Sequence, residues 1–152
     1  MTRDTLLVHE VEIGRTPAEV FAFATDARTW SAWHPTTVAV RGPAGPPHAG
    51  DLFHETVRAG PVQGEIAWRV VEAAPERRFT VEGRVDFPLM RRTAVTITYL
   101  LAPSGQGTHF RRELRYRPAR PWSRLADCLF FRGHNARQSV TALERLRTAL
   151  ER

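Results

Sequence analysis

The chain has 152 residues, 42% hydrophobic and 25% charged, the composition of an ordinary globular domain that buries about two-thirds of its unfolded surface. Its net charge of +6 comes from 22 basic residues, all of them Arg. They are scattered as Arg77-Arg78, Arg91-Arg92, Arg111-Arg112, Arg115, Arg117 and Arg120, not gathered on one element with interleaved aromatics, so solvated faces are expected and nucleic-acid binding is not. No apolar run approaches the ~20 residues of a bilayer span. Met1-Thr-Arg-Asp4 lacks the apolar core of a signal peptide, and the lone Cys128 has no internal disulfide partner, which predicts a cytoplasmic protein. There is no Cys/His cluster of metal-ligand spacing, no glycine-rich phosphate loop and no Gly-x-Ser-x-Gly elbow, so neither metal nor cofactor is expected.

Leu6 to Ile13 reads as the first strand, and the chain then turns straight into a helix. Thr16 suits the N-cap, Pro17 the first helical position, and Glu19 completes a capping box with Thr16. Asp26 caps a second short helix that Pro35 ends by forcing His34 out of helical geometry. Strands follow: Thr36–Arg41, then Asp51–Arg58 after the Gly/Pro-rich loop 42–50, then Val62–Ala73. Phe79–Val85, Thr93–Leu101 and Thr108–Arg117 complete an antiparallel meander. The two-residue period puts Ile66, Trp68 and Val70 on one face, as it does Phe79, Val81, Gly83 and Val85. Tyr99 shares a face with Thr93, Val95, Ile97 and Leu101, and Phe110 with Thr108, Leu114 and Tyr116.

From Trp122 the period changes. Leu125, Ala126, Leu129, Phe130, Gly133, Ala136, Val140, Leu143, Leu146 and Leu150 form a 3.6-residue stripe, which predicts one long amphipathic helix with any bend at Gly133. The order strand, two helices, six strands, long helix predicts an α+β, helix-grip fold: a curved antiparallel sheet of about seven strands wrapped around the C-terminal helix.

The chain resembles the START-related helix-grip (SRPBCC) superfamily, in its polyketide cyclase/dehydrase branch. The resemblance is carried by Ile13, Pro17, Val20-Phe21, Asp26, Trp30 and Trp33-His-Pro35. It continues through Gly50-Asp-Leu-Phe53, Val70-Val-Glu-Ala-Ala-Pro75, Arg78-Phe79, Gly107-Thr108 and the terminal helix. It implies one domain over residues 1–152, with an apolar cavity between sheet and helix that takes lipids, polyketides or other hydrophobic molecules. Some members cyclise, aromatise or dehydrate their ligands, and fold alone does not decide between carrier and enzyme.

Trp68, Tyr99, Phe110 and Phe130 are expected to line the cavity, with Trp33 at its entrance. Arg112 falls in phase with Phe110, Leu114 and Tyr116, and a guanidinium on an apolar face is costly unless something neutralises it. It has three readings: an anchor for a ligand carboxylate, enolate or phenolate, a structural pair with a Glu, or a side chain reaching solvent. Tyr99 could orient a carbonyl. His34 and His134 are candidate general acids or bases, and His9 alternates with Leu7, Val11 and Ile13, but no carboxylate partner can be assigned to any of them. Phe87, in the apolar turn Asp86-Phe-Pro-Leu-Met90, is either a lid or partner contact, or a strand end reaching the core.

Three functions follow from these residues. The first is a carrier for a hydrophobic small molecule. The second is a cyclase or dehydratase in which His34 or His134 moves a proton while Arg112 and Tyr99 hold an enolate. The third is a membrane- or protein-associating module that uses the Arg-rich surface and the Phe87–Met90 tip. The sequence leaves monomer and homodimer equally open.

Overall fold

A computed structural model describes residues 3–88, 90 and 92–152. Strand β1 (Thr5–Ile13) leads into α1 (Pro17–Ala24), a 3-10 turn (Ala27–Thr29) and α2 (Trp30–Trp33). The strands β2 (Thr37–Arg41), β3 (Leu52–Ala59), β4 (Val62–Ala74), β5 (Arg78–Asp86), β6 (Thr93–Ser104) and β7 (Gly107–Arg117) follow. They form one seven-stranded antiparallel sheet in the order β1-β7-β6-β5-β4-β3-β2. Register shifts between Thr37 and Ala39 and between Val70 and Glu72 add local twist and bending, as bulges do.

The opening forms as its residues dictate. The Thr16 hydroxyl accepts from the Glu19 N–H at 3.2 Å, and the Glu19 carboxylate accepts from the Thr16 N–H at 3.0 Å. Val20, Phe21 and Ala24 then turn inward. The Asp26 carboxylate accepts from the Arg28 N–H and starts the 3-10 turn, which carries the chain into α2. On the sheet, the inward alternation predicted for β4 to β7 is present, with Trp68, Val70, Phe79, Val81, Ile97, Tyr99 and Phe110 all buried. Gly83 faces Trp68 across β4 and β5, where a Cβ would sit 2.8 Å from the indole, so only glycine lets that ring lie against the sheet.

The predicted long C-terminal helix is present and carries a π bulge. It runs without interruption as α3 (Pro121–Ala126), a π-helical segment (Asp127–Phe131) and α4 (Arg132–Glu151). The irregularity falls before Gly133, whose surroundings leave room for a Cβ. A π turn inserts an extra residue per turn and shifts the phase of all that follows. Its cause lies on the inner side. Asp127 is buried and accepts hydrogen bonds from the Thr5 hydroxyl at 3.0 Å and from the Tyr116 hydroxyl, with the Arg132 guanidinium 3.5 Å away. Fixing Asp127 and Ser123 inward turns Leu125, Leu129 and Phe130 outward, and Phe131 takes the inner position expected of Phe130. Further along, Ser139, Ala142, Leu143 and Leu146 pack α4 against the body. Its last turn is tied back by Arg15 Nε, which donates to the Leu150 carbonyl at 2.6 Å, and by Glu151, which accepts from the Gly14 N–H at 2.8 Å.

Asp127→Ala would leave two buried hydroxyls without their acceptor. Stability in urea unfolding should fall by about 2–5 kcal/mol, since each stranded group costs about 1–3 kcal/mol. A loss below ~0.5 kcal/mol, within the usual range of a neutral surface change, would show that Asp127 does not hold the π segment in place.

Candidate functional site

The curved face encloses a cavity of about 160 Å³. That volume is in the range that admits a benzene-sized ligand. Its apolar wall is built by Ile66, Trp68, Val85, Phe87, Val95, Ile97 and Phe131, and its polar wall by His34, Glu55, Arg112, His134 and Asn135. Exposed Arg58 and half-buried Ala59, at the β3–β4 turn, face the half-buried Phe131 and His134 across the mouth. Phe87 and Met90 are both buried, so neither forms an exposed tip. Leu89 lies outside the described residues.

The register explains the polar wall. Arg112 on β7 stands directly opposite Tyr99 on β6 and His9 on β1, so three neighbouring strands deliver these side chains to one face. Arg112 is 7% exposed, and its Nη1 donates to the Ser139 hydroxyl of α4 at 2.8 Å. Its Nε–H has no partner, and among the described residues no carboxylate forms an ion pair with it. A charged donor left unsatisfied in the interior costs more than the ~1–3 kcal/mol of a neutral one.

The neighbouring groups adjust to this charge. Glu55, an inward residue of β3 between Phe53 and Val57, is also buried. Its carboxylate accepts from the Thr37 hydroxyl at 2.5 Å and from Trp68 Nε1 at 2.8 Å. Burial pushes the Glu55 carboxyl above its ordinary range, while the two donors and Arg112 pull the other way. Burial first, and then the Arg112 charge, holds His34 well below the ordinary imidazole value, so the ring is neutral. His34 Nε2 and the Tyr99 hydroxyl share a hydrogen bond at 3.2 Å. Burial also raises the Tyr99 phenol, with Arg112 offsetting part of the rise, and Tyr99 stays protonated.

The expected site residues are divided by the fold. Trp68, Phe87, Arg112, His34 and His134 come together at the cavity. Tyr99 and Phe110 are wholly buried behind its wall instead of lining it, with ring centroids 5.1 Å apart. Trp33 is not at the entrance. It is fully buried, because α2 is a single turn pressed between the sheet and α4, and its ring lies tilted against His34 with centroids 3.9 Å apart. Phe130 is not in the cavity either, being 69% exposed on the outer side of the π segment. Glu55, Ser139 and Phe131 are the members the sequence reading missed. Of these, Glu55 was detectable as a charge alternating with Phe53 and Val57. Among the described residues, no group of three His, Cys, Asp or Glu is placed to hold a metal ion.

Residues 5–151 match the family described as polyketide cyclase/dehydrase and lipid transport, and the chain belongs to it. The fold is that of the helix-grip superfamily. A protein from Rhizobium leguminosarum superposes with a TM-score of 0.78 at 16% identity, covering 99% of this chain and 97% of the other. TTHA0849 from Thermus thermophilus gives 0.78 at 16%, covering 96% and 97%. Ara h 8.0201 gives 0.67 at 9%, covering 97% and 98%. No curated protein matches the chain. Family and fold together define a hydrophobic-ligand-binding domain.

The shift of His34 sets a pH dependence. Its folded pKa lies below the unfolded value, so as pH falls through about 6.5 the unfolded state takes up a proton that the folded state refuses. Stability is therefore full above that value and declines below it. The drop in melting temperature between pH 7.5 and 5.5 should be smaller in His34→Gln than in the parent. Glu55, shifted the opposite way, cancels because both proteins carry it. Equal slopes would mean that His34 titrates alike in the folded and unfolded chain, and that burial does not hold it neutral.

Proposed function

We propose that this chain binds a small apolar molecule bearing an acidic oxygen, whose apolar part lies against Trp68, Phe87, Ile97 and Phe131 and whose oxygen meets Arg112. One observation carries the reading. A buried guanidinium on the cavity wall has an unused N–H and no ion-paired carboxylate among the described residues, where buried charges are ordinarily paired. A ligand carboxylate, enolate or phenolate in the cavity would supply the counter-charge that the guanidinium lacks. The family's description, which includes lipid transport, supports a carried ligand. The cavity volume favours a single ring or a short acyl chain over a full-length lipid.

A second reading, chemistry on that ligand, is favoured by the neutral His34 on the same wall, positioned by its hydrogen bond to Tyr99. A neutral imidazole can remove a proton from carbon next to a carbonyl, and Arg112 would then hold the enolate oxygen. Tyr99, set behind the wall, acts through His34.

Hexanoate and hexanol test the Arg112 anchor, with quenching of tryptophan fluorescence as readout. The parent protein should bind the carboxylate more tightly than the alcohol. Arg112→Met should weaken hexanoate binding by roughly 1.5–3 kcal/mol, the range for a hydrogen bond to a charged group, and leave hexanol unchanged. Its melting temperature should hold or rise, because no ion-paired carboxylate is stranded. Equal binding of hexanoate by both proteins would refute the anchor.

A further inference from the structure

The outer face of α3 and the π segment carries four large apolar side chains in the open. Trp122 is 55% exposed, Leu125 61%, Leu129 61% and Phe130 69%. They form one stripe because Ser123 and Asp127, the residues between them, are held inward. Large apolar side chains clustered in the open mark a contact surface, unlike the same residues scattered singly. The stripe has a cationic border. Over residues 120–137 the chain carries Arg120, Arg124, Arg132 and Arg137, and the single acidic residue, Asp127, is buried. The Arg120 guanidinium sits over the Trp122 ring at 5.1 Å. Beside the stripe, a groove of about 370 Å³ lined by Gly60, Leu129, Phe130 and Arg137 shares Ala59, Phe131 and His134 with the cavity.

We propose that this face docks on the surface of an anionic lipid bilayer, with Trp122, Leu125, Leu129 and Phe130 entering the headgroup boundary and the arginines meeting lipid phosphates. Charge complementarity selects this occupant. An apolar stripe edged by arginine and lacking exposed carboxylates has the composition of an interfacial helix, and each arginine near such a surface adds about 1 kcal/mol, or about fivefold in affinity. No described helix is long and apolar enough to cross the membrane, so the contact is peripheral. Because the groove runs into the cavity mouth, docking would let an apolar ligand pass between bilayer and cavity without crossing water.

The test is sedimentation of the full chain with vesicles of phosphatidylcholine alone or mixed equally with phosphatidylglycerol. Binding is expected to the mixed vesicles only and to weaken with salt. Trp122 should shift its emission to shorter wavelength, a signal that Trp122→Phe removes, since the other three Trp are buried. Leu129→Ser/Phe130→Ser should lose at least about tenfold in vesicle affinity, as expected when buried apolar area sets binding strength, without changing the melting temperature. Arg124→Gln should lose about fivefold and serves as the independent check if the double variant melts early. Absence of binding to the mixed vesicles, or equal binding by Arg124→Gln and the double variant, would overturn the proposal. So would a dimer that the double variant dissociates, since a second copy would then be the occupant. No cavity ligand is present in this assay, so its failure leaves the Arg112 anchor standing.

Discussion

A positive charge held inside an aromatic shell organises this protein. The Arg112 guanidinium is carried by β7, the second strand of the seven-stranded sheet, with the Ser139 hydroxyl as a hydrogen-bond partner and, among the described residues, no acceptor for its Nε–H. Everything around it responds. His34 stays neutral beside it, Glu55 turns to the Thr37 and Trp68 donors, and Tyr99 keeps its proton. Removing such a group from water costs several kcal/mol even after relaxation. That this cost is carried with no ion pair among the described residues is what the proposed ligand anchor rests on.

The aromatic residues offset that cost in stability. Trp30, Trp33, Tyr99, Phe79 and Phe110 are all essentially inaccessible. Each ring withdraws about 150–250 Å² from water, on the order of 4–6 kcal/mol before the entropy of ordering it is counted. They pack as tilted and edge-on contacts around His34 and Tyr99, with Trp30 5.2 Å and Trp33 3.9 Å from the His34 ring. The packed shell backs the polar groups on one wall of the cavity, and Trp68, Phe87 and Phe131 form the apolar side.

Strands and inward faces were legible in the sequence because both depend on local periodicity. The strand bounds agree to within one to three residues, and Arg112 was recognisable as a charge in an apolar phase. The long C-terminal helix was legible too, but the phase of its first turns was not. Its 3.6-residue stripe pointed Phe130 inward, but a buried Asp127 that binds residues 122 and 11 positions away in the chain imposes a π turn and leaves Leu125, Leu129 and Phe130 exposed, while Leu143 and Leu146 stay buried. No local pattern reports such a constraint. Trp33 was misplaced for a similar reason, since its burial comes from α4 covering α2.

That same π turn links interior and surface. It brings Phe131 to the cavity wall, 6.5 Å from Phe87, and puts Leu129 and Phe130 outside, at the groove that joins the mouth. The central claim concerns the charge within, and the most direct measurement is the ¹⁵N–¹H resonance of Arg112 Nε, assigned by its loss in Arg112→Met. Addition of hexanoate should move this resonance as a carboxylate settles beside the guanidinium, while hexanol should leave it in place. An Nε–H signal indifferent to the carboxylate, with the cavity demonstrably occupied, would contradict the account.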